Sequence, residues 1–375
     1  MYQNRRCTFD DSFKEMDKIY VTANSKIMLT PILSILVISH NQRELLRRCM
    51  NSLLAQKIRV PHEIVISDDR SSDGTWQLIQ EYAATYTQMQ QNGDLWTPQV
   101  VGCQCNSDEC HPLNVSERCG WNKLNVYQHA RGKYFVNIDA DDYLKSDDIY
   151  QLQLDMLELH PECSMCMQDV WQINDGDALD TGLRWPTFTK MESGTILSVK
   201  DIITQYRALN QCYMIRRHPE VDCATLYGKH FDDTIITQHH LQFGPCVYLD
   251  RADYVWVKYG TNITCTLKGD DELVEYGLLQ LHHARYIPQF KDIFMQDGLQ
   301  QFIHMFKELS KKAYRPALTD RSLLSIQHTE GRIYRLLERN TWFHRMQLRL
   351  LRVAQLLFKK LHCKNYQFLY RLMVG

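Results

Sequence analysis

Residues 122–144 read NKLNVYQHARGKYFVNIDADDYL: a helical stretch, a turn carrying Gly132, a short apolar run, then a group of acids. Tyr134–Ile138 is apolar and bounded by turn-formers, the pattern of a strand buried on both faces. Asn122–Ala130 before it and Ser146–His160 after it have helical spacing. The same alternation recurs upstream. LSILVIS (Leu33–Ser39) reads as a strand, and Asn41–Leu54 as a helix with Leu45, Leu46, Cys49, Met50, Leu53 and Leu54 in register. His62–Ser67 reads as a second strand. The helix built on Trp76, Leu78, Ile79, Tyr82 and Ala83 follows, with Ser-Asp-Gly before it as a capping signal. Gln99–Gly102 reads as a third strand. Strands alternating with helices of roughly 10–15 residues imply βαβ units around a mostly parallel sheet. The expected fold is α/β over residues 31–265, preceded by a polar extension (1–30) and followed by a helical region (266–375).

At 375 residues the chain exceeds a single core, which stops growing at roughly 250–300 residues. Hydrophobic residues at 44% and charged residues at 23% exclude a disordered or collagen-like chain. No apolar run approaches the roughly 20 residues of a membrane span, and the acid-bearing N-terminus lacks the apolar core of a secretory signal. A cytoplasmic protein is expected, and its thirteen scattered cysteines are expected to be reduced. The net charge of −1 hides an asymmetry: from Arg332 onward ten Arg and Lys face a single acid, Glu338. In that tail Arg345, Arg349, Arg352, Lys359 and Lys360 share one helical face, and Met346, Leu350, Val353, Leu357 and Leu361 share another. Such a helix either lies in the headgroup plane of an anionic membrane or packs on the acidic body of its own chain. Nucleic acid is not expected as a partner.

In an open α/β sheet, ligands bind outside the carboxyl ends of the strands. This chain places polar and acidic groups there: Ile38-Ser39-His40-Asn41 after the first strand, Asp68-Asp69 after the second, and Asp139-Ala140-Asp141-Asp142 after the fourth. In extended backbone, residues two apart share a side, so Asp139 and Asp141 can converge while Asp142 points elsewhere. Two carboxylates on one side suit Mg²⁺ or Mn²⁺, which take oxygen ligands and complete their shells with substrate phosphates. The alternative is a solvated turn with a capping Asp. The chain has neither G-x-G-x-x-G after its first strand nor G-x-x-x-x-G-K-[ST] anywhere, so phosphate charge must be met by metal rather than by a glycine-rich helix start.

PILSILVISHNQRELLRRCMNSLLAQ, then HEIVISDDRSSDGT, then NKLNVYQHARGKYFVNIDADDYL, together resemble the nucleotide-sugar half of inverting family 2 glycosyltransferases with a GT-A fold, over residues 31–265. That resemblance implies a nucleotide-diphosphate sugar donor, with UDP expected, a glycan or lipid-linked glycan acceptor, and Mn²⁺ or Mg²⁺ as cofactor. It implies that Ile38, Ser39, His40 and Asn41 form the nucleobase-contacting strand end, where His40 stands in place of a frequent Tyr. Asp68 and Asp69 match the acids that read uracil and ribose. Asp139 and Asp141 match the DxD pair, touching ribose and metal respectively, with Asp142 in support. Asn122 matches an Asn found before the same helix in related enzymes, and also reads as a plain helix cap.

In HFDDTIITQHHLQFG (His230–Gly244) the resemblance implies a general base just before a helix. Asp233, eleven residues before Gly244, fits that spacing better than Asp232, though either acid also suits an N-cap. His239 and His240 read as packing residues. Lys258 is the one cation left where the family carries an arginine-rich strand. The Cys103-x-Cys105-x4-Cys110-His111 run has a first gap too short for a usual zinc knuckle and reads as loop thiols. Two rival readings remain: a sugar-nucleotide-binding protein without turnover, and a haloacid-dehalogenase-like phosphatase. The latter's nucleophile loop is also D-x-D after a strand, but normally opens its fold, whereas two strand–helix units precede it here.

Overall fold

The computed structural model describes residues 30–92, 97–105, 115–185, 191–204, 210–221, 233–260, 287–294 and 353. Its first half follows the expected alternation: β1 (Leu33–Ser39), α1 (Arg43–Leu54), β2 (His62–Asp68), α2 (Thr75–Gln91), β3 (Gln99–Gln104), α3 (Val115–His129) and β4 (Tyr134–Asp139). Then come β5 (Tyr143–Leu144), α4 (Ile149–Leu159), β6 (Met165–Met167), β7 (Val170–Asn174), β8 (Leu183–Trp185), β9 (Ile196–Leu197) and α5 (Val199–Thr204). The described core closes with β10 (Tyr213–Arg216), α6 (Asp233–His240), β11 (Cys246–Tyr248) and β12 (Tyr254–Lys258). The extension at 1–29 and nearly all of 266–375, including the basic tail, lie outside the described residues.

Two sheets result. The larger has the order β3-β2-β1-β4-β10-β6-β11-β9, and the smaller β5-β12-β7-β8. β3, β2, β1 and β4 are parallel neighbours, while β10 runs antiparallel to both β4 and β6. The chain moves from β1 outward through β2 to β3, then returns to place β4 on the other flank of β1. The order therefore reverses at β1, and the carboxyl ends of β1 and β4 flank the switch point, where open α/β sheets offer a ligand crevice.

The side-chain period of two explains why the larger sheet is covered on both faces. Leu33, Ile35 and Val37 of β1, Ile64 and Ile66 of β2, and Tyr134, Val136 and Ile138 of β4 pack with α1, α2 and α4. Leu36, Val65 and Phe135, one position out of phase, pack instead with Trp121, Leu124, Val126 and Tyr127 of α3. Strands with apolar residues on both faces are what a parallel sheet with helices on both sides requires.

Two glycines are demanded by close approach. A Cβ on Gly132 would lie 2.7 Å from both the Ser34 nitrogen and the Tyr134 carbonyl oxygen. A Cβ on Gly244 would lie 2.2 Å from the Glu162 carbonyl oxygen. Both neighbours are backbone and have little room to move.

The structure moves several expected boundaries. α3 starts at Val115 rather than Asn122, so Asn122 sits mid-helix and is not a cap. α1 starts at Arg43 because Asn41 adopts a left-handed φ of 52° that ends the strand in a turn. α4 is shorter than 146–160, and β3 runs two residues past Gly102. Among the described residues no helix is long and apolar enough to cross a membrane.

Candidate functional site

The carboxyl ends of β1, β2 and β4 are stitched together by their own backbone. The Asp69 amide donates to the Ser39 carbonyl at 3.0 Å, and the Ala140 amide to the Ile38 carbonyl at 3.1 Å. Ile38 and Asp139 are register partners across β1 and β4. The three polar and acidic segments singled out in the sequence therefore lie side by side at one end of the sheet.

The first wall is the β1–α1 turn laid against the DDRSSDG loop. His40 Nδ1 bonds the Asp69 carbonyl at 2.7 Å, and its Nε2 lies 3.1 Å from the Asn41 side-chain nitrogen. A carbonyl only accepts and an amide nitrogen only donates, so both contacts fit the tautomer with the proton on Nδ1. Asn41 accepts from the Ser72 amide at 2.8 Å, and its own amide donates to Ser71 Oγ at 2.7 Å. Asp73 accepts from the amides of Arg43 and Thr75, each at 3.0 Å. Buried Asp68 accepts from the Ser71 amide at 3.0 Å and the Ser71 hydroxyl at 2.5 Å. Burial raises the Asp68 carboxyl above its usual range, and the Ser71 hydrogen bonds oppose that rise.

Asp69 carries a different load. Its carboxylate pairs with Arg118 of α3 at 2.8 Å, and only 3% of its side chain is exposed. One turn further along α3, Asn122 reaches both strand ends: its Nδ2 donates to the Ser39 carbonyl at 3.1 Å and its Oδ1 accepts from the Ser67 hydroxyl. Asn125 donates to Ser67 Oγ at 2.8 Å. Asn122 is thus a buried tie between β1, β2 and α3.

The second wall is the acid group after β4. Oxygen atoms of Asp139, Asp141 and Asp142 come within 4.8 Å of one another. Asp139 and Asp141 are half-buried and Asp142 is buried. Asp139 Oδ2 accepts from Gln211 Nε2 at 2.8 Å. The Asp141 carboxyl is pushed up to about 6, first by burial and then by the charge of Asp139; the Arg48 guanidinium and the Lys123 ammonium pull the other way. Asp142 is also raised, by burial and by both neighbouring acids. Its oxygens are met by the Val257 amide at 2.9 Å and by the Tyr254 hydroxyl. Arg48 of α1 donates through Nη2 to the Asp141 carbonyl at 2.5 Å and to the Tyr259 hydroxyl at 2.7 Å, with its guanidinium 4.7 Å from the centre of the Tyr143 ring.

The donor set fits a hard divalent cation. It is all oxygen and concentrates negative charge, with Asp139 and Asp141 half-buried rather than enclosed. Among the described residues it is the one group of three or more His, Cys, Asp or Glu side chains close enough to share an ion. Cys103 instead has its thiol 3.6 Å from the Ile66 carbonyl, and burial pushes it up to about 12; Cys110 and His111 lie outside the described residues. Cys49, Cys103, Cys163, Cys166, Cys212 and Cys246 are free thiols.

Residues 34–95 match the model of glycosyl transferase family 2. The matched segment runs from β1 through α2. An uncharacterized protein of Mycobacterium tuberculosis is 29% identical over 190 residues, covering 51% of this chain and 48% of that protein. Chondroitin synthase of Escherichia coli is 24% identical over 181 residues, covering 48% of this chain and 22% of the synthase. The chain spans about half the length of the mycobacterial relatives, or less for the synthase. The crystal structure of S. aureus TarS 1–349 in complex with UDP-GlcNAc aligns with a TM-score of 0.49 at 15% identity, over 84% of this chain and 90% of that one.

Asp233 is the first residue of α6, while Asp232 lies outside the described residues. His239 and His240 are buried in that helix, and burial holds them at about 4 and about 3. Lys258 stacks over the Trp256 ring at 4.8 Å; the cation bonded to the acid loop is Arg48. Arg48, Arg118, Gln211 and Tyr254 escaped the sequence reading. Arg118 alone left a readable trace, because Arg118, Asn122 and Asn125 form a polar stripe at helical spacing beside Trp121 and Leu124.

Proposed function

We propose that this chain is an inverting glycosyltransferase that moves a sugar from a nucleotide-diphosphate donor, UDP-linked, to a hydroxyl of a glycan or lipid-linked glycan. The observation that carries the reading is the pair Asp139 and Asp141 at the point where strand order reverses, beside the ends of β1 and β2. Mn²⁺ or Mg²⁺ held by that pair would supply the positive charge that a departing diphosphate needs. In this reading His40, Asp68 and Asp69, on a loop braced at every turn, form the floor for base and ribose. Asp233 takes the proton of the acceptor hydroxyl as general base. The acceptor oxygen forms its bond to the anomeric carbon while the bond to the diphosphate oxygen breaks, with that electron pair leaving on the nucleoside diphosphate. One displacement inverts the configuration.

The basic, amphipathic pattern of residues 332–375 supports work at the inner face of the cell membrane, where lipid-linked acceptors lie. Removing those residues should shift the protein from membrane to soluble fractions, and unchanged partitioning refutes that part.

The test of the whole is Mn²⁺-dependent release of UDP from a panel of UDP-sugars, which Asp141→Ala should abolish. Release of inorganic phosphate from simple esters would favour the phosphatase reading, and no release from any donor, with binding retained, the non-catalytic one.

A further inference from the structure

Asp142 has the chemistry of its two neighbours but not their surroundings. Its side chain is enclosed, and each oxygen has a dedicated donor: Oδ1 takes the Val257 amide at 2.9 Å, Oδ2 the Tyr254 hydroxyl. Both donors belong to β12, which is hydrogen-bonded along its length to β7 and pairs with β5, the strand that begins directly after Asp142. Tyr254 itself is buried in the main core, so its hydroxyl is a fixed point. The opposite flank of the loop is held by Arg48, which bonds the Asp141 carbonyl and Tyr259, the residue following β12. The acid loop is thus fastened at two places to the edge of the second sheet. A cation drawing on Asp142 would compete with the Val257 amide and the Tyr254 hydroxyl for the same two oxygens.

We propose that Asp142 is the positioning residue of the cation site rather than one of its ligands, and that Tyr254 and Val257 are the frame against which it sets Asp139 and Asp141. This rests on the cation-assisted reading above and assigns unlike roles to three chemically identical side chains.

The experiment is a titration of full-length protein with Mn²⁺, reading free Mn²⁺ by electron paramagnetic resonance. It compares wild type with Asp141→Asn, Asp142→Asn, Tyr254→Phe and the double variant Asp142→Asn/Tyr254→Phe. Circular dichroism confirms that each is folded; Tyr254→Phe removes one oxygen and keeps the ring in the core. Asp141→Asn should abolish saturable binding. Asp142→Asn and Tyr254→Phe should each weaken it by about tenfold, the usual effect of losing a group that orients a ligand. The double variant should be no weaker than the worse single one, because both changes cut the same link. Asp142→Asn as severe as Asp141→Asn, together with an unaffected Tyr254→Phe, would make Asp142 a ligand and overturn the proposal. Wild-type affinity in folded Asp142→Asn would overturn it equally. A wild type that takes up no Mn²⁺, indistinguishable from Asp141→Asn, is the separate signature of failure in the underlying cation reading, and the proposal falls with it.

Discussion

Acidification should weaken cation binding by an amount that the geometry of the acid loop sets. Burial and the charge of Asp139 push the Asp141 carboxyl up to about 6. A cation that binds there must displace the proton, so apparent affinity falls as that proton competes. For a competing group at about 6 the loss is negligible at pH 7.5, about twofold at pH 6 and about elevenfold at pH 5. The linkage has a definite sign. With its folded value raised above the unfolded one, Asp141 holds an extra proton in the folded state between roughly pH 4 and 6. The metal-free fold is therefore favoured by this group at low pH, and loses that advantage as pH rises through about 6. Mn²⁺ reverses the balance by stabilising the charged form, so its protective effect on thermal unfolding should grow from pH 5 to pH 7.5. Arg48 works against the rise in Asp141, so Arg48→Met should move the break in the affinity profile to higher pH. Mn²⁺ titrations at pH 7.5, 6 and 5 measure both effects. Equal affinity at pH 5 and pH 7.5 would refute the idea that the cation takes the place of a proton on this pair.

Three further outcomes are expected. Asn122→Ala removes the hydrogen bonds to the Ser39 carbonyl and the Ser67 hydroxyl, and should cost about 1–3 kcal/mol in urea unfolding; an unchanged midpoint would show that α3 does not depend on this tie. Gly132→Ala should cost about 1–3 kcal/mol or more, since its methyl would meet two backbone atoms rather than a side chain that can turn away; the same urea series reads it. His240 is buried against Phe135, and its Nε2 has no hydrogen-bond partner among the described residues. Its depressed value means stability is present above about 6.5 and lost as pH falls below it, so His240→Phe should flatten the acid limb of the stability profile between pH 6.5 and 4.

The larger sheet was legible because its signal is local. β1, β2 and β4 are short runs in which both phases of the alternation are apolar, and turn residues close each run within a few positions. The start of α3 was not legible for the opposite reason. Residues 115–121 read VSERCGW, with a glycine and few apolar positions, and that segment is held by contacts to distant strands rather than by its own period. The acids of the site were visible as strand-end motifs. What holds them was not: Arg48 precedes Asp141 by 93 residues, and Tyr254 follows Asp142 by 112. An arginine on an amphipathic helix reads as a solvated face unless the loop it reaches is known, and a tyrosine in an apolar strand reads as core, which Tyr254 also is.

The stripe of Arg118, Asn122 and Asn125 shows why such groups are needed at this place in the fold. A parallel sheet ends in a row of carbonyls and amides whose ladder partners have run out, and at a ligand crevice the chain cannot cap them with apolar residues without closing the opening. In this chain α3 serves that edge from the side. Arg118 answers the Asp69 carboxylate, Asn122 the Ser39 carbonyl and the Ser67 hydroxyl, and Asn125 the same hydroxyl and the Cys103 thiol. The polar face of one helix thus replaces the missing ladder and leaves the crevice side of β1 and β2 open. β12 does the equivalent for the acid loop through Tyr254 and the Val257 amide. Both acid-bearing segments are therefore braced by groups of the chain itself. That is the preorganisation on which electrostatic stabilisation of a leaving diphosphate depends, because dipoles already in place cost nothing to reorient when the charge develops.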